Sequence, residues 1–115
     1  MEQAYDEPTN IGKNEFTQII ESGTTELKCD AIVRAVHSIS DYDWLMSEFS
    51  KLLDYSDDQI RGVVVTCIGH LARLNERSNR QQLLEILQPL LLDGQIGGRV
   101  EDAIDDINTF LPEDE

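Results

Sequence analysis

Apolar positions recur along this chain at the spacing of helices packed on one side. Ile60, Val63, Val64, Cys67, Ile68 and Leu71 fall three and four residues apart, which puts them on one face of an α-helix. A helix is therefore predicted from Ser56 to near Leu74-Asn75, with its own start signal. Ser56 and Gln59 have capping-box spacing, and Asp57 and Asp58 place negative charge in the first turn, where the helix dipole favours it. The same pattern predicts five further helices. Asn14 caps Glu15–Glu21, with Phe16, Ile19 and Ile20 inward, and Ser22-Gly23 ends it. Thr24 or Thr25 caps a helix that runs to about Ser38 and carries Leu27, Ala31, Ile32, Ala35 and Val36. Ser40 starts a third, Asp41 to Asp54, with Leu45, Phe49, Leu52 and Leu53 as its stripe. A second S-x-x-Q box, Ser78 to Gln81, opens a leucine-rich fifth helix in which Pro89 predicts a kink. The last helix spans Arg99 to Phe110, with Val100, Ala103, Ile104 and Ile107 inward, and Pro112 stops it. Residues 1–13 lack periodicity and read as an N-terminal arm. Residues 14–112 form the helical body, and residues 113–115 an acidic tail.

These elements pair. A shift of 40 residues superposes Ile60, Val63, Val64, Cys67 and Leu71 on Val100, Ala103, Ile104, Ile107 and Leu111. A shift of 32 in the other direction superposes Val64, Cys67, Ile68 and Leu71 on Ile32, Ala35, Val36 and Ile39. One helix pair cannot bury its own apolar faces, so such units stack. The expected fold is all-α: a short α-solenoid of three antiparallel helix pairs.

The middle unit resembles a HEAT repeat on Leu52, Asp54, Asp57, Ile60, Arg61, Val64, Ile68, Gly69 and Leu71. It departs from that pattern at Val64, which is larger than the usual residue there. The outer pairs depart further, with Cys29 and Glu101 in the place of Arg61, and His37 and Thr109 in the place of Gly69. The resemblance implies a scaffold that binds partners, with the second helix of each pair lining a concave side. It also implies that Arg61 pairs with a turn acid, Asp54 or Asp57. Nothing in the matched pattern is catalytic, and the expectation is that the chain is not an enzyme.

Charge sharpens this. The 115 residues carry a formal net charge of −14. Acids outnumber bases 13 to 4 over residues 1–58 and 7 to 0 over residues 101–115, while residues 59–100 hold 3 acids and 5 bases. Such a field repels nucleic acid and anionic membranes, and it steers a basic protein inward. The same acidity also serves plain solubility. No apolar run reaches membrane-spanning length, and the N-terminus lacks the basic and apolar regions of a signal peptide, so a cytoplasmic protein is expected.

The candidate chemistry is sparse. Cys29, His37, Cys67 and His70 are the tempting metal cluster, but Cys29 and His37 lie two turns apart, so no metal and no cofactor are expected. Glu101, Asp102, Asp105 and Asp106 form a carboxylate stripe on the last helix. It reads either as a solvated face or as a docking surface for cations. The repeat shifts align it with Arg61, Gly62, Val65 and Thr66, and with Cys29, Asp30, Val33 and Arg34. The expected partner-binding residues are therefore Glu101, Asp102, Asp105, Asp106 and Asp30, with Val33 and Val65 as apolar patches and Tyr42 as an exposed aromatic. Trp44 is expected to pack between the first two pairs. In size, charge and repeat type the chain resembles the immunity proteins of bacterial toxin systems, including contact-dependent growth inhibition. That resemblance implies occlusion of a basic nuclease toxin by carboxylates. The other reading is a generic HEAT-like scaffold or assembly adaptor.

Overall fold

The computed structural model describes residues 10–112, and these are helical with no strand. The helices are α1 Lys13–Ser22, α2 Thr25–Ser38, α3 Tyr42–Leu52, α4 Asp58–Leu74, α5 Arg80–Leu87 and α6 Gly97–Phe110. A single 3-10 turn, Gln88–Leu90, follows α5. That turn is the form the Pro89 kink takes: with no N–H to continue the ladder, the α-helix stops at Leu87 and the backbone tightens.

Helices pair in sequence, and the second members α2, α4 and α6 form one continuous layer, with α4 packed on both α2 and α6. This is a short helical solenoid of three pairs. Its core runs from Phe16 through Ile32, Leu45, Phe49, Ile68 and Leu71 to Leu83, Leu87, Val100 and Ile107, all nearly or wholly buried. Ile11 is buried as well, so the packed body begins before α1. Residues 1–9 of the expected arm, and the tail at 113–115, lie outside the described residues.

Thr24 caps α2 as expected, Asn14 caps nothing because α1 starts at Lys13 after Gly12 without a side-chain cap, and three other start signals are shifted by one residue. Asp57, rather than Ser56, caps α4: its Oδ1 accepts from Gln59 N at 2.9 Å and Ile60 N at 3.4 Å. Asn79, rather than Ser78, caps α5 through Gln82 N at 2.9 Å. Asp41 caps α3 through Trp44 N at 3.1 Å. The first and third caps are carboxylates, stronger acceptors than a hydroxyl at the positive end of a dipole. Ser78 is used differently, its hydroxyl donating to the Leu71 carbonyl of α4 at 2.6 Å.

The turns also tie successive pairs together. Thr25 of α2 donates to Asp57 Oδ2 at 3.0 Å. Arg61 of α4 donates to Asp58 at 2.7 Å and to Asp93 at 2.6 Å. Asp93 in turn accepts from Gln95 N and Ile96 N, fixing the entry to α6. The expected partners of Arg61, Asp54 or Asp57, are thus corrected. Its guanidinium grips its own first turn and the turn of the following pair.

Candidate partner-binding face

The second-helix layer has one open side. It is built from residues of α2, α4 and α6 that stay accessible on the side away from α1, α3 and α5. On α2 these are Asp30, Val33 and His37, all exposed. On α4, flanked on both sides, only a narrow stripe stays accessible: Thr66 and His70 half-buried, and Arg73 exposed. On α6 the stripe is Arg99, Asp102, Asp106 and Phe110.

The carboxylates expected as one stripe divide between two faces. Ala103 lies against α4, where an added Cβ on Gly69 would meet Ala103 Cα at 2.9 Å. Asn108 accepts from Arg80 of α5 at 2.6 Å. Glu101 and Asp105 share the helical phase of Asn108, and so point towards the end of the solenoid. Asp102 and Asp106 share the phase of Arg99 and Phe110 and border the open side. Among the described residues none of these four carboxylates makes a salt bridge. The salt bridges of the described residues use Glu15, Asp30, Asp41, Glu48, Asp58 and Asp93 instead. The α6 carboxylates therefore face solvent without a direct ion pair among the described residues.

Two of the residues expected on this face are elsewhere. Val65 is completely buried. It falls on the side of α4 turned inward, because α4 packs on α6 as well as α2 and keeps only a narrow strip for solvent. Tyr42 is also buried, its hydroxyl donating to Gln82 Oε1 at 2.8 Å and accepting from Asn79 N at 3.3 Å. It locks α3 to the start of α5, and burial pushes its phenol pKa up. The flanking Asp41 and Asp43 gave it a polar context in sequence, but they occupy other sides of the first turn. Val33 and Asp30 are exposed, Asp30 paired with Arg34 one turn on at 3.3 Å. Trp44 packs as expected, its ring edge-on to Phe16 of α1 at 5.3 Å.

Sequence reasoning missed the cations of this face. Arg99 reaches from α6 across α4 and donates to Thr66 Oγ1 at 3.2 Å. Arg73 lies over the ring of Phe110, 6.0 Å from its centre, at the other end of the seam. His70 sits between them, with Nδ1 buried and without a hydrogen-bond partner. Burial, and then the charge of Arg73, lower its pKa, while Asp106 pulls the other way. The signal that could have found Arg99 was Gly62, a glycine inside a strong helical pattern on the seam that Arg99 crosses.

Cys29 and Cys67 are free thiols. Burial pushes Cys67 up to about 12, which leaves it protonated and inert. Among the described residues no group of three or more His, Cys, Asp or Glu side chains is placed to hold a metal ion. No helix among them is long and apolar enough to cross a membrane.

Comparison with protein-family models and with curated proteins finds no match. Among solved structures the chain is similar to one chain of the crystal structure of a CDI complex from Cupriavidus taiwanensis. The two share 28% sequence identity at a TM-score of 0.85, and the match covers 96% of this chain and 99% of that one.

Proposed function

We propose that this chain is the immunity partner of a contact-dependent growth inhibition toxin, a non-catalytic inhibitor that works by binding. The likeness to a chain of a CDI complex carries the reading, because it extends over nearly the whole of both chains. Of the two roles in such a pair, inhibitor fits the chemistry. A nuclease must approach phosphates, and a chain of net charge −14 repels them. An inhibitor of a basic nuclease gains from the same charge, since it steers encounter and sets carboxylates against the groove that holds the nucleic acid.

The binding surface in this reading is the open side of the α2–α4–α6 layer, with Asp102 and Asp106 directed at the toxin and Asp30 and Val33 at its margin. Occlusion is the mechanism: the toxin's basic groove is filled by protein carboxylates in place of phosphates. The test is co-expression. The domain encoded immediately upstream of this chain's gene is induced in cells with and without the chain. Growth arrest that this chain relieves, together with a stoichiometric complex on gel filtration, supports the reading. Arrest that persists with the chain present at excess refutes it.

A further inference from the structure

The feature of the open side least explained by folding is Arg99. In a molecule with 23 acids and 9 Lys and Arg, its guanidinium makes no salt bridge among the described residues, although Asp102 follows one turn later on the same stripe. Its hydrogen-bond partner is a neutral hydroxyl, Thr66 Oγ1 at 3.2 Å, while a guanidinium carries five N–H donors. Its side chain nonetheless lies close against α4. A Cβ placed on Gly62 of α4 would stand 3.0 Å from Arg99 Cδ, 3.1 Å from Nε and 3.3 Å from Cζ. The missing side chain at Gly62 is therefore the slot in which the arginine lies as it crosses the helix. The chain accepts a glycine in the interior of its central helix, with the propensity loss that brings, at the point where a cation is laid onto the binding face.

We propose that Arg99 is the specificity anchor of this face: held in the Gly62 slot by Thr66, it pairs bidentately with a carboxylate of the toxin. The inference rests on the immunity reading and deepens it. Bulk negative charge attracts any basic domain and so discriminates poorly. A cation laid beside carboxylates demands an acid at one place and bases at neighbouring ones, which fixes register and excludes wrong partners. A fork-shaped donor with its stem packed loses little freedom on binding.

The experiment measures affinity for the upstream-encoded domain, and thermal melting, for wild type, Arg99→Ala, Arg99→Lys and Gly62→Ala. Arg99→Ala is expected to weaken binding at least about tenfold, as truncation of an arginine hot spot does, with melting unchanged. Arg99→Lys is expected to stay weak, because a point charge cannot replace the bidentate fork. Gly62→Ala keeps the charge but fills the slot, and is expected to weaken binding about threefold or more without lowering the melting temperature. Arg99→Glu should be restored by changing one toxin Asp or Glu to Arg, found by changing each in turn. Affinity unchanged in Arg99→Ala overturns the anchor while leaving the immunity reading intact. No binding by wild type overturns both.

Discussion

Gly62 and Gly69 lie two turns apart on α4 and face α6 alike, yet alanine at the two positions is expected to act with opposite sign. At Gly69 the added methyl would meet Ala103 Cα at 2.9 Å and Ala103 Cβ at 3.0 Å. Neither atom belongs to a flexible end, so the helices must part by several tenths of an ångström along the tightest contact of the layer. Overpacking of this kind costs about 1–3 kcal/mol. Better helix propensity returns about 0.5–1 kcal/mol. Gly69→Ala should thus lose about 1–2 kcal/mol, a fall in Tm of about 4–10 °C for a domain of this size. At Gly62 the new methyl meets only the outer part of the Arg99 side chain, which can swing into solvent. The propensity gain then survives, less a surface hydrogen bond worth a few tenths, and Tm should hold or rise by about 1–3 °C. Urea and thermal unfolding followed by circular dichroism at the helical band measure both. Gly69→Ala at or above wild-type stability would show that α4 and α6 do not approach this closely. A marked loss in Gly62→Ala would show that the Arg99 contact is structural, and would remove the case for a slot.

The other expectations concern charge, hydrogen bonding and thiols. Asp102→Asn with Asp106→Asn should weaken toxin binding about tenfold, whereas Glu101→Gln with Asp105→Asn should leave affinity within about twofold, through a slower and less salt-dependent on-rate; equal effects would mean the two stripes do not differ. Tyr42→Phe should cost about 1 kcal/mol by leaving Asn79 N–H and Gln82 short of a partner, read in urea melts, with toxin affinity unaltered. Arg61 holds the Asp93 carboxyl below its ordinary pKa, so that stabilisation is complete above the unfolded carboxylate value and fades as pH falls through the lower folded one. Arg61→Gln should therefore reduce stability at neutral pH, and its gap from wild type should close in acid. A thiol reagent should modify Cys67 only at the rate of unfolding; prompt native-state reaction would contradict its burial.

The helical periods carried the architecture because they record the inside of each helix, and the inside is fixed by the chain's own packing. Val100, Ala103 and Ile107 fall where the repeat shift put them, and Gly69 of the Ile-Gly-His-Leu run at residues 68–71 is where α4 and Ala103 of α6 come close. The outside was less legible. Val65 looks like a solvent position when one helix pair is considered alone, and becomes core once a third helix lies along α4. Tyr42 reads as exposed from its acidic neighbours, and its burial depends on Asn79 and Gln82, some forty residues on. Caps moved by one residue because two acceptors competed at each start and local spacing does not rank them. Arg61 follows the same logic: Asp54 or Asp57 was expected, but it takes Asp58 of its own first turn and Asp93 from the turn of the next pair.

The division of the α6 carboxylates changes what the net charge means. If all four faced one surface, acidity alone would describe the site, and any basic domain would be a plausible ligand. With Glu101 and Asp105 turned to the end of the stack, the open side presents Asp102 and Asp106 between Arg99 and Arg73, with His70 in the middle. Long-range steering depends on total charge and extends about one Debye length, so every acid contributes to it wherever it points. Short-range pairing depends on the order of charges across a few ångströms, and there the sign alternates. Rate and specificity are therefore assigned to different residues. Neutralising remote acids such as Glu101 should slow association and leave dissociation alone. Changes at Arg99 or Asp106 should act mainly on dissociation, because they remove contacts that form only after the faces have met.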